Sequence, residues 1–180
     1  MKTKHFCGLA LLAISTMFMV ACDKENPDTP DTPTVKAPVA VVFNYSFAVN
    51  DSMRLVADFG ISYFDENGQL QNEQLAANSW EKKVTAKLPA KLGVRVVASL
   101  KEGVDFSAIE KLRILSKYSE VFYCVDEDGN KVGKTYTDSD SHSQAIRGEQ
   151  IPQYFNKDHF LQSLYTFDAE GTGTHHDDWK

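Results

Sequence analysis

The chain has 180 residues, with 25 acidic against 19 basic side chains, a formal net charge of −6 and a pI near 5.3. That balance excludes binding to nucleic-acid phosphate or to an anionic bilayer through a basic face. Hydrophobic residues at 42% and charged residues at 24% exclude a collagenous or low-complexity chain and suit one domain of ordinary size.

Chain order begins with Met1-Lys-Thr-Lys-His5, followed by Phe6 to Val20, in which Ser15 and Thr16 are almost the only polar residues. A short basic region, an apolar stretch and a small residue before a cut form the layout of a signal peptide. The stretch gives way at once to Asp23-Lys24-Glu25-Asn26, short of the ~20 apolar residues that a spanning helix needs. Met19-Val20-Ala21-Cys22 resembles the lipobox of bacterial lipoproteins, with Met19 standing where Leu is usual, an apolar replacement of similar volume. The resemblance implies cleavage between Ala21 and Cys22, a diacylglycerol on the Cys22 thiol and an acyl group such as palmitate on the new amine. Each buried methylene contributes ~0.8 kcal/mol, so two or more chains hold a protein stably where one is marginal. Residues 1–21 are therefore expected to be removed, and Cys22 is the expected lipidation residue.

Cysteine usage fits this expectation. Cys7 leaves with the signal and Cys22 carries lipid, so Cys124 alone remains and the mature chain is expected to hold no internal disulfide. Cys124, within Val121-Phe-Tyr-Cys-Val125, is expected to fill a core position rather than act as a reactive thiol.

Residues 22–38 form a lipidated cysteine and a spacer. Pro27, Pro30, Pro33 and Pro38 fall in a stretch that repeats Pro-Asp-Thr and has too little apolar surface to fold. In polyproline-like geometry at ~3.1 Å per residue it spans up to about 50 Å. Asp23-Lys24-Glu25 resembles the charged export signals of some Gram-negative lipoproteins, which implies the outer membrane; an acidic solvated linker is the alternative.

From Val39 the pattern takes period two. Val41, Phe43, Tyr45, Phe47 and Val49 make one face of a strand, Asn50-Asp51-Ser52 reads as a turn, and Met53, Leu55, Ala57, Phe59, Ile61 and Tyr63 form a second run that is expected to pair with the first as a hairpin. Further strands are expected at Trp80–Leu88, at Val94–Leu100 after Pro89-Ala-Lys-Leu-Gly93, and at Val121–Val125. An apolar residue, Asp, two residues and Gly recur at Phe64–Gly68, Val125–Gly129 and Phe167–Gly171, each the signature of a strand-ending turn. Ser107-Ala-Ile-Glu110 fits a capping box, with a helical turn leading into a strand as the alternative, and Asn156–Tyr165 places Phe160, Leu161 and Leu164 on one helical face. The fold expected over residues 39–174 is mainly β, a single sandwich with at most two short helices, resembling immunoglobulin-like or transthyretin-like modules; a small β-barrel is the alternative. Residues 175–180 are expected to be a polar tail.

The candidate chemistry is weak at each place. Asp126 to Asn130 is rich in carboxylates, but Gly129 is fourth after the first Asp and Thr137 stands where a calcium loop requires Glu. Thr137-Asp-Ser-Asp-Ser-His-Ser143 holds hydroxyls, acids and an imidazole without a nucleophile elbow and reads as a mobile polar loop. His175-His176-Asp177-Asp178 contains metal-ligand types, but adjacent histidines on an extended chain point to opposite sides, so no metal residue is assigned. Trp80 and Trp179 offer stacking surfaces, with Trp80 beginning a strand and expected to pack into the core. Asp51-Ser52-Met53 resembles an O-glycosylation acceptor triplet of some bacterial envelope proteins, and a hairpin turn explains it equally.

No catalytic residue, cofactor or metal is assigned. The leading expectation is a lipid-anchored, non-enzymatic binding or assembly module at the outer membrane that contacts a glycan, peptide or envelope protein. The alternatives are an envelope enzyme or inhibitor with a dispersed site and a carrier of a small apolar ligand.

Overall fold

The computed structural model describes residues 36–179. The expected signal peptide, Cys22 and the spacer as far as residue 35 lie outside the described residues. The described residues form a compact unit with its own core, and no helix among them is long and apolar enough to cross a membrane.

The architecture is a β-sandwich of two antiparallel sheets. One has four strands in the order β4-β1-β6-β7, made of β1 (Ala40–Val49), β4 (Ser79–Lys87), β6 (Leu112–Val125) and β7 (Lys131–Ile146). The other has five strands in the order β3-β2-β5-β8-β9, made of β2 (Ala57–Phe64), β3 (Leu70–Gln74), β5 (Ala90–Leu100), β8 (Leu161–Phe167) and β9 (Gly173–His176). No pairing among the described residues joins the two ladders, so the sheets do not close and the barrel alternative is set aside.

β1 carries the core. Its alternation buries Val41, Phe43, Tyr45, Phe47 and Val49 against the second sheet. Phe43 stacks on Tyr45 at 4.3 Å and on Phe122 at 5.0 Å, and Phe47 meets Phe59 of β2 at 6.0 Å. Offset and tilted rings of this kind combine large buried area with specific geometry. β1 is paired along its length on both sides, from Ala40↔Lys87 to Ala48↔Ser79 with β4 and from Ala40↔Val125 to Val49↔Ser116 with β6.

The expected hairpin between β1 and β2 does not form. Asn50 instead caps a short helix, α1 (Asp51–Val56): its side chain accepts a hydrogen bond from Met53 N at 3.3 Å, and its Nδ2 donates to Arg113 O at 2.8 Å. The helix carries the chain from one sheet to the other, so the apolar faces of β1 and β2 meet across the core instead of lying side by side. Met53 and Val56 are buried, whereas Leu55, counted with the inward run by its period-two spacing, is turned outward and 71% exposed. Ser52, of the acceptor-like triplet, sits half-buried in this helix.

The three Asp-x-x-Gly turns share one construction. Asp65, Asp126 and Asp168 each accept from the backbone N–H groups two and four residues on, at 2.7–3.1 Å. The glycines at 68, 129 and 171 have φ between 71° and 80°, a conformation that needs no Cβ. These turns close β2–β3, β6–β7 and β8–β9. The Gln69 backbone N–H, foremost among its donors, holds Asp65 below the ordinary carboxylate range. At Asp126 burial pushes upward but is outweighed by the backbone and side-chain N–H groups of Asn130, leaving this carboxyl lowered as well. Lys36 forms ion pairs with Glu127 and Asp128 of the second turn, fixing the start of the domain there.

Helical expectations shift in place. Asp105, not Ser107, caps a 3-10 turn at Phe106–Ala108, accepting from Ser107 N at 3.0 Å, and the chain then runs into β6. Asn156–Tyr165 is not helical. The helix lies upstream as α2 (Ile151–Phe155), started by Pro152 in its first turn, and Leu161 and Leu164 are buried from β8. Among the described residues there are two short α-helices and two 3-10 turns, in keeping with the expected minor helical content.

The lateral edge of the sandwich at β3 and β4 is closed by polar side chains. Glu73 accepts from Tyr63 Oη at 2.7 Å, from Trp80 Nε1 at 2.7 Å and from Lys82 Nζ at 3.0 Å, and Lys82 lies 4.7 Å from the centre of the Tyr63 ring. Chiefly through the Trp80 bond and then the Tyr63 bond, the Glu73 carboxyl is held below its ordinary value. Trp80 is thereby half-buried and occupied.

Candidate functional site

The opposite lateral edge, where β7 leaves the four-stranded sheet and β8–β9 end the five-stranded one, is open. The inward residues of β7 follow from its register with β6: Tyr136 opposes Phe122, Asp138 opposes Glu120, Asp140 opposes Tyr118 and His142 opposes Ser116. The segment expected as a polar loop, Thr137–Ser143, is thus part of a strand. It shows no apolar period because an edge strand is held by backbone pairing, and most of its side chains face water. On its outer side Thr137, Ser139, Ser141 and Ser143 form a row of hydroxyls.

A bulge interrupts the β6–β7 ladder between Phe122↔Tyr136 and Cys124↔Val132, with Gly133 at φ 73° on the longer strand. Bulges bend a strand and re-aim its side chains. Here Lys134 and Tyr136 are brought to the mouth of a cleft of about 430 Å3 between β6–β7 and β8–β9. Its aromatic walls are Phe122, Tyr136, Tyr165 and Phe167, and its polar lining includes Asp138 and His175. Tyr136 lies on Phe122 with ring centres 5.0 Å apart and planes 14° apart, yet remains 57% exposed. Tyr165 packs against Phe122 at 4.9 Å and meets His175 edge to face at 5.0 Å. Cys124 also lines this cleft, half-buried and free, with its Sγ 3.5 Å from Gly171 O; burial, then Asp168, pushes its thiol upward, away from the reactive thiolate.

Behind this cleft lies a group that the sequence did not mark. Glu120 projects into the sandwich, is 1% exposed, and neither carboxylate oxygen has a hydrogen-bond partner. Burial raises its carboxyl to about 7; the Ser163 hydroxyl works against that rise and the Asp138 charge adds to it. Burial and then the Glu120 charge push the neighbouring Tyr45 well above the tyrosine range. Tyr118 donates to Asp138 Oδ2 at 3.1 Å and is pushed up to about 12, by burial first and by Asp138 next. The only signal for Glu120 in the sequence was its place in the alternation Leu112, Ile114, Ser116, Tyr118, Glu120, Phe122.

His175 and His176 do not form a tail. They belong to β9, where Leu164↔His176 and Tyr165↔His175 pair with β8. Their rings diverge as the extended backbone requires: His175 packs on Tyr165, and His176 Nε2 lies 2.8 Å from Thr166 Oγ1. His175 Nδ1 lies 3.7 Å from Asp177 Oδ1, and no group of three or more metal-ligating side chains gathers among the described residues. Trp179 rests on Phe64 at 5.4 Å. No family model, curated protein or solved structure matches the chain, so the functional reading rests on the geometry of the open edge.

Proposed function

We propose that the protein is a lipid-anchored, non-enzymatic binding module of the bacterial outer membrane, attached through Cys22 and contacting its partner through the cleft between β7 and β8–β9. The observation that carries this reading is the asymmetry of the two lateral edges. Glu73 ties one edge shut, while the other leaves Tyr136 exposed beside Tyr165 and His175. Exposed aromatic rings in a concave, partly polar setting are the usual makings of a recognition site. A catalytic reading would draw on Glu120, since a carboxyl near 7 suits general acid–base work. Its 1% exposure separates it from any substrate in the cleft.

Anchoring and binding are tested separately. Mass spectrometry of the mature protein is expected to find an N-terminal peptide that starts at acylated Cys22, and an unmodified N-terminus elsewhere would remove the anchor from the proposal. For binding, the domain from Val35 onward is immobilised and exposed to solubilised envelope. It is expected to retain a partner that Tyr136→Ala releases at least tenfold more readily; retention unchanged by this substitution would move the site away from the cleft.

A further inference from the structure

The cleft's own chemistry narrows its ligand. Three properties have to be met together: flat apolar surfaces, polar groups of both signs, and limited volume. Tyr136 has one face covered by Phe122, and among the described residues no other ring packs on it, so a broad aromatic surface remains at the cleft mouth. Around it stand Asp138, Lys134, His175 and Thr172, which bring a carboxylate, an ammonium, an imidazole and a hydroxyl to the lining. A cationic ligand meets Lys134, and an anionic one meets Asp138 with Glu120 behind it. An apolar ligand leaves those polar groups without water or partner, which is costly. A neutral ligand bearing many hydroxyls satisfies all of them, because a hydroxyl both donates to the carboxylate and accepts from the ammonium or imidazole. If that ligand also has a flat face of C–H groups, it covers the aromatic ring and removes apolar area from water.

The geometry points to a neutral mono- or disaccharide as the ligand of this cleft, its C–H face against Tyr136 and its hydroxyls on Asp138, Lys134 and His175. A volume of about 430 Å3 falls within the ~300–1,000 Å3 of small-molecule sites and accommodates a sugar of this size. The bulge at Gly133 is what gives the site its shape, since it turns Lys134 and Tyr136 toward β8–β9 at the point where the ladder with β6 is interrupted. This inference rests on the cleft being the binding surface proposed above.

The test uses the domain from Val35 onward, whose core is self-contained, titrated by NMR with maltose, cellobiose, lactose and N,N′-diacetylchitobiose, and in parallel with a Lys/Arg-rich peptide. The expected result is saturable binding of at least one sugar, with shifts centred on Tyr136, Tyr165 and His175 and little dependence on salt. Tyr136→Ala is expected to weaken that binding tenfold or more and Tyr136→Phe by less than threefold; the Phe variant keeps the stack on Phe122 and an unchanged Tm, and the Ala variant remains folded with a Tm lower by a few degrees at most, since the ring is 57% exposed. Binding of the peptide alone, with a steep salt dependence, would overturn the saccharide assignment while leaving the cleft as a binding surface. No binding of any of the four sugars, or sugar binding indifferent to Tyr136→Ala, overturns it as well.

Discussion

Glu120→Gln is expected to stabilise the domain by about 2–3 kcal/mol at pH 8 and to change little at pH 4.5. The folded carboxyl, raised to about 7 from an ordinary 4.5, stays protonated over a range where the unfolded chain has already ionised. Stability therefore falls as pH climbs from the unfolded value toward the folded one and levels off above it, because the folded state binds the extra proton throughout that window. The gap between about 7 and 4.5 corresponds to roughly 3 kcal/mol at ~1.4 kcal/mol per pH unit. Tyr45, Tyr118, Ser163, Tyr165 and Asp138 surround the group, and none supplies a cation to stabilise the ionised form. Urea midpoints measured between pH 4.5 and 8 should slope downward for the natural sequence and lie nearly flat for Glu120→Gln. Parallel slopes for the two proteins would mean that Glu120 is hydrated and ordinary. Asp65, Asp126 and Glu73, all lowered, act in the other direction and in a separate window, losing their contribution only as pH falls below the usual carboxylate range.

Gly148→Ala is expected to destabilise the domain by more than about 3 kcal/mol, or roughly 10 °C in Tm. Gly148 is buried at the start of the 3-10 turn Gly148–Gln150, and its N–H donates to Ile109 O at 3.0 Å. A Cβ there would lie 1.9 Å from Phe106 O and 2.4 Å from Ile109 O. Both obstacles are backbone carbonyls, so relief requires moving the whole Phe106–Ile109 turn away from the segment that leads into α2. The comparison is Gly68→Ala, where φ is +71° but nothing lies within 4 Å of the added atom. That change carries only the left-handed backbone penalty of about 1–2 kcal/mol. Thermal melts of the two variants separate close packing from backbone strain, and equal losses would show that the two turns are not held tightly together.

Much of the sandwich was legible because its central strands bury one face. Val41 to Val49, Phe59 to Tyr63 and Val94 to Leu100 alternate as half-buried strands must, and the Asp-x-x-Gly turns announce themselves through the chemistry of Asp and Gly. What escaped are the edge strands β7 and β9, whose Ser139 and His175 neighbourhoods read as loop and tail, β3, for which no strand was expected, and the start of β8, which read as helix. Their conformation comes from hydrogen bonding to the next strand, and side-chain pattern does not record that. The step from β1 to β2 was also hidden, since two apolar faces look the same whether they lie in one sheet or oppose each other across a core. Tyr136 was passed over for a related reason. Its role depends on a bulge at Gly133 and on Tyr165 and His175, brought beside it by chain pairing across the fold. Glu120 stood in the inward alternation of β6 but was passed over because a carboxylate is ordinarily placed on the wet face.

The place where the chain joins the domain has a mechanical meaning. Val39 N donates to Val125 O at 2.8 Å and Val39 O accepts from Leu88 N at 3.0 Å, so the chain passes directly into β1, the strand flanked on both sides. With Cys22 anchored as proposed, a tug on a bound partner is transmitted along the axis of β1, at right angles to its antiparallel hydrogen bonds. Those bonds are then loaded together in shear, across two ladders at once, instead of being unzipped one pair at a time from an edge.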